Sequence, residues 1–103
     1  MKTLHLVLKS KWYDLIDCGA KTSEYRACTP YWNKRFIEHI EYTDGPVYIP
    51  PLVFTVKYDS VVFHRGYTNK TMEFKINSIL ITTEPNDLGL DKCWEIKLGQ
   101  RLA

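Results

Sequence analysis

Cysteine is scarce in the 103 residues, with only Cys18, Cys28 and Cys93. The number is odd and no C-x-x-C pair exists. A disulfide framework or a zinc ribbon is therefore not expected, there is no disulfide partner to assign, and unpaired thiols fit a reducing, cytoplasmic compartment. An excess of one charge is also missing. Fourteen Lys and Arg stand against twelve Asp and Glu, a net +2 with a sequence pI near 8.4. Nucleic-acid footprints are usually much more basic, so any case for a polyanion partner must rest on where the cations sit. Six residues separate Lys2 from Lys9, far short of a signal h-region, and no apolar run approaches a membrane span. His5, His39 and His64 have no metal-ligand spacing, so neither a metal nor a cofactor is expected. Repeats, linkers and low-complexity tracts are absent, and a chain this short fills one core. The expectation is a single domain over 1–103, soluble, without a membrane partner and monomeric.

Aromatic side chains are what the chain does hold: seven Tyr, three Trp and four Phe. They can fill a small core or stack on bases, and composition does not choose between these uses. Thr3 to Lys9 alternates, with Leu4, Leu6 and Leu8 on one face, which predicts a half-buried strand. Ser10 as N-cap and Gly19 as stop bracket a helix whose apolar stripe is Trp12, Leu15, Ile16 and Gly19. Thr22 to Cys28 alternates again. Thr29-Pro30 then predicts a capped second helix over roughly 30–40, with Trp32, Phe36 and Ile40 at four-residue spacing. Residues 41–56 are irregular, with turn signals at Asp44-Gly45-Pro46 and Pro50-Pro51 and a short extended piece at Val53–Val56. Strands are predicted over 58–67, 72–83 and 92–98.

The 72–83 strand breaks its own parity. Met72, Phe74 and Ile76 are even-numbered, whereas Ile79 and Ile81 are odd-numbered. Either a bulge near Asn77-Ser78 shifts the faces or the strand is buried on both sides. The order β-α-β-α-loop-β-β-β indicates an α+β fold or small mixed barrel, not a doubly wound sheet.

The segment Gly19-Ala20-Lys21-Thr22-Ser23-Glu24-Tyr25-Arg26 resembles the G-x-K-x-x-E-x-R signature of the ASCH family, and it follows the first strand and helix as in that family. Pro30-Tyr31-Trp32-x-x-Arg35, Arg65-Gly66-Tyr67 and the closing Trp94–Gly99 are similar to a small bacterial and phage branch of the group. The resemblance implies a PUA-like β-pseudobarrel with a cleft beside the first helix that binds single-stranded RNA or a nucleotide. It also implies a possible enzyme, since some members are similar to ribonucleases and one branch hydrolyses N4-acetylcytidine with the motif Lys and a Thr nucleophile. Lys21 matches the Lys. The Thr position is Glu24 in this chain, so that chemistry lacks its activated hydroxyl.

Spacing adds a physical reading. Glu24 and Arg26 leave one face of a strand, and Lys21 enters from the turn just before them. One anion between two cations leaves a positive charge to spare, and Lys21 and Arg26 become candidate donors to a phosphate or base carbonyl. The same spacing also fits a solvated salt-bridge network. Trp32 with Arg35, and Arg65 with Tyr67, are the further candidates for nucleic-acid contact, although Trp32 fits plain core better. Trp12 belongs to the core stripe. If the protein is an enzyme, Lys21 and Glu24 are its catalytic candidates. The expected function is RNA or nucleotide binding in a cationic cleft. The alternatives are hydrolysis of RNA or a modified nucleoside, and a protein-interaction accessory domain presenting Tyr42, Tyr48, Ile49 and Phe54.

Overall fold

Alternation decides the first element of the computed structural model, which describes residues 2–41, 53–56 and 58–103. In β1 (Thr3–Leu8), Leu4, Leu6 and Leu8 are buried while His5 and Val7 face solvent. Helix α1 (Ser10–Asp17) follows. Its N-cap is Lys9, with no side-chain cap bond, so the expected Ser10 cap is corrected: Ser10 is already helical. The stop is as expected. Gly19 has φ +84°, a left-handed conformation that favours glycine, and its N–H donates to the Ile16 carbonyl. The buried stripe of α1 is Tyr13 and Ile16, rotated from the predicted one, while Trp12 and Leu15 are only half-buried.

β2 (Ser23–Ala27) leads into α2 (Pro30–Phe36). Thr29 caps α2 as its sequence predicts, its side chain accepting from the Trp32 N–H at 3.3 Å. The helix stops at Phe36, four residues short of expectation. From Ile37 the backbone is extended and forms β3 (Ile37–Glu41), which pairs antiparallel with β4 (Val53–Val56) in a two-stranded sheet. The β-branched Ile37 suits extended backbone better than another helical turn. The turn signals at 44–46 and 50–51, and Tyr42, Tyr48 and Ile49, lie outside the described residues. The same holds for the side chains of His39 and Phe54.

β5 (Ser60–Arg65), β6 (Thr71–Thr82) and β7 (Cys93–Arg101) complete a five-stranded, curled half-barrel sheet in the order β1-β5-β6-β7-β2. The fold is α+β. β1 runs parallel to β5, with Leu4 opposite Val61 and Leu6 opposite Phe63; the other neighbours are antiparallel. The register slips between Phe74 and Ile76 and again between Ile76 and Ser78. That is the bulge which the parity break requires, and it lets Met72, Phe74, Ile76 and Ile79 all reach the core. Gly99 makes room there: a Cβ on it would lie 2.4 Å from Asn77 Oδ1. Ile81, expected inside, is 39% exposed near the strand end, although it pairs with the fully buried Trp94.

Among the described residues β1 and β2 are the outer strands of the sheet, and α2 is tied to both. It continues directly from β2, and Arg35 Nη2 donates to the His5 carbonyl of β1 at 3.3 Å. Phe36 drops from α2 into the core against Trp94, ring centroids 5.3 Å apart. Among the described residues no helix is long and apolar enough to cross a membrane.

Candidate functional site

The turn after α1 sets up the site. The Lys21 N–H donates to the Leu15 carbonyl at 3.0 Å, which folds the chain back beside the helix and delivers the Lys21 side chain to the start of β2. Lys21 Nζ lies 3.5 Å from Glu24 Oε1, and Glu24 Oε2 lies 3.2 Å from Arg26 Nη1. The three groups therefore form one chain of charges with the acid in the middle. Glu24 is buried, at 5% exposure. This depth rules out a loose pair on a solvated face.

Lys21 has further neighbours. It is ion-paired with Asp87 from the 83–92 loop, and its ammonium sits 5.1 Å from the Trp12 ring centroid and 4.8 Å from that of Tyr25. Two aromatic faces thus flank one cation. Around it opens a cleft of about 410 Å³, lined by Trp12, Leu15, Ala20, Lys21, Thr22, Ser23, Tyr25, Asp87 and Glu95. Tyr25 and Glu95 are directly opposite in the β2–β7 pairing, and the Tyr25 hydroxyl donates to Glu95 Oε2 at 3.4 Å. Burial, reinforced by the Glu95 and Asp87 carboxylates, pushes the Tyr25 phenol above its ordinary value. It is a hydrogen-bond donor at neutral pH.

Arg26 turns the other way along the sheet. Its Cζ lies 5.2 Å from the Trp32 ring centroid, and its buried Nε has no hydrogen-bond partner. Trp32 stacks on Phe36 at 5.3 Å and meets Tyr31 edge-on at 4.9 Å. Arg35 stands over the same indole at 5.6 Å and donates to the Tyr31 hydroxyl at 2.7 Å. Trp32 is thereby already occupied by Phe36, Arg26 and Arg35, and the aromatic walls of the cleft are Trp12 and Tyr25 instead.

Arg65 and Tyr67 lie apart from this group. Arg65 makes a two-pronged bond to Asp14 of α1, at 3.0 and 3.1 Å, and Tyr67 is fully exposed in the turn that Gly66 permits with φ +55°. The Arg65 hydrogen bond, then its charge, holds the Asp14 carboxyl below its ordinary 3.8. A carboxyl depressed in the folded state adds stability above its unfolded pKa and loses it as pH falls through the folded one. The stability gap between wild type and Arg65→Ala should therefore be open at pH 7 and close below about pH 4. Urea midpoints at the two pH values measure it; a gap unchanged in acid removes the ion pair as its cause. His5 Nδ1 and His64 Nε2 meet at 3.1 Å on the outer face of β1 and β5, away from Lys21.

The charge inventory differs from a cationic cleft. The positive charge that spacing left to spare is taken up by Asp87, and Glu95 adds a second carboxylate to the lining. Neither acid was marked by sequence. Asp87 sits in a polar loop without pattern, and Glu95 faces Tyr25 only through a pairing 70 residues apart. Among the described residues no group of three or more His, Cys, Asp or Glu is placed to hold a metal ion. No family model, curated protein or solved structure matches the chain, so its own residues carry the functional argument.

Proposed function

We propose that the chain is an RNA- or nucleotide-binding domain of the PUA-like, ASCH-resembling kind, and that its ligand enters the cleft between α1, β2 and the 83–92 loop. The observation that carries this reading is the position of Lys21. It heads a chain of charge through the buried Glu24 to Arg26 and still lines an open cleft between two aromatic rings. About 410 Å³ lies in the range of small-molecule pockets, and paired rings flanking a donor suit a flat, polar, π-rich ligand. The chain of charge holds Lys21 in place before any ligand arrives, which keeps the ordering cost of binding low.

Binding is favoured over hydrolysis. Lys21 is ion-paired with two carboxylates, Glu24 stands where a Thr nucleophile is required, and Tyr25 is a donor. Among the described lining residues Asp87 is paired with Lys21 and Glu95 accepts from the Tyr25 hydroxyl, so neither carboxylate stands ready as a base.

Fluorescence anisotropy with short labelled single-stranded RNA tests the reading. Replacing Lys21 and Arg26 by Ala together is expected to weaken binding at least about tenfold, the loss of roughly one charge-assisted contact. Equal binding by wild type and a folded double variant rules the site out.

A further inference from the structure

The groups facing the cleft do not suit a phosphate. Among the described residues that line it Lys21 is the one cation, whereas Asp87 and Glu95 both line it and Glu24 lies 3.5 Å from the ammonium. A phosphate entering here meets two carboxylates of the lining against one ammonium, while the charge of Glu24 is offset by Arg26 at 3.2 Å. A nucleobase is neutral, and its edge carries N–H donors that carboxylates accept. We infer that the cleft recognises the edge of a base rather than a phosphate, and that guanine is the base it prefers; this rests on the nucleotide-binding reading above.

The choice of base follows from the order of donors and acceptors. Lys21 and Asp87 sit side by side, a donor next to a pair of acceptor oxygens. Guanine's Watson–Crick edge presents the complement: O6 accepts, and N1–H and the 2-amino group both donate. The Lys21 ammonium binds O6 while the Asp87 carboxylate takes the two N–H groups, in the two-pronged geometry that makes such contacts selective. Cytosine and adenine each offer one amino donor and then a ring nitrogen acceptor, which places a lone pair against a carboxylate oxygen. Uracil offers a carbonyl and an N–H in guanine's order, but its second carbonyl stands where guanine has the 2-amino donor and meets the carboxylate as acceptor against acceptor. Unpaired groups in a partly buried site are what penalise the wrong base. Trp12, which also carries Lys11 at 4.8 Å, and Tyr25 hold Lys21 against their rings and wall the cleft for any base, so they add contact without choosing. Asp87 is already paired with Lys21, so guanine entry replaces that ion pair by three hydrogen bonds to the same two groups.

The test titrates guanosine, adenosine, cytidine, uridine, GMP and inorganic phosphate into wild type and Asp87→Asn by calorimetry. A second arm uses labelled five-nucleotide RNAs, uridine throughout except for a varied central base. Guanine is expected to bind about tenfold or more tightly than uracil in at least one arm, the usual worth of one good two-pronged base contact. GMP should bind no tighter than guanosine, phosphate alone should not bind, and Asp87→Asn should narrow the preference. Equal binding of the four bases in both arms, or tight binding of phosphate, overturns the inference and leaves the nucleotide reading standing. Binding of no base, nucleotide or RNA overturns both.

Discussion

Glu24→Ala is expected to lower the stability of the protein by about 3 kcal/mol, the low end for removing one partner of a buried ion pair. Glu24 is 5% exposed and holds Lys21 with one oxygen and Arg26 with the other. Truncation leaves two cations facing each other across a partly dry space. Lys21 retains Asp87 and Arg26 retains some access to water, which is why the loss stays near the low end. Arg26 is the more exposed to the change, because its Nε already lacks a partner. Urea unfolding measures the effect as a lower midpoint at unchanged slope. A companion variant makes the assignment specific: Glu24→Ala combined with Arg26→Ala should cost less than the sum of the two single changes. A loss below about 1 kcal/mol would place Glu24 in the class of surface pairs instead.

The same residues show how far the chain could be read without coordinates. Lys21, Glu24 and Arg26 were legible as a cluster because their association is local: two side chains two apart on a strand, and one in the preceding turn. Gly19, Thr29 and Pro30 were legible for the same reason, each marking a helix end by its own backbone chemistry. The bulge in β6 was legible because a parity break admits few solutions, and the register slips on both sides of Ile76 are one of the two foreseen. What stayed hidden depends on distant partners. The end of α2 at Phe36 is set by the β3–β4 pairing, which a four-residue stripe ending at Ile40 does not reveal. Trp12 and Tyr13 both fit an apolar flank of α1, and only the sheet beneath decides that Tyr13 is buried while Trp12 walls the cleft. Asp87 and Glu95 reach the site through the 83–92 loop and the β2–β7 register, so the acidity of the cleft appears only in three dimensions.

Trp94→Ala is the change expected to do most damage, a loss of about 3–5 kcal/mol as for other buried large-to-small aromatic truncations. Trp94 is fully buried on β7, opposite Arg26 of β2 and Ile81 of β6. Its ring meets Phe36 edge-on, and its Nε1–H donates to Asn33 Oδ1 at 2.8 Å. Both contacts belong to α2, the element tied to the outer strands β1 and β2. Emptying this position therefore opens a cavity and unfastens α2 at once. Trp94→Phe separates the two effects: it keeps most of the ring volume, leaves Asn33 without its donor, and should cost about 1–2 kcal/mol. Because Phe36 stacks on Trp32 and Trp32 carries Arg26, the damage should run along that ladder to the charge chain. Hydrogen exchange reads this directly: α2 amides should lose protection in Trp94→Ala while those of β1 and β5 lose less. Uniform loss across the sheet would mean that α2 is carried by the sheet and does not help to hold it.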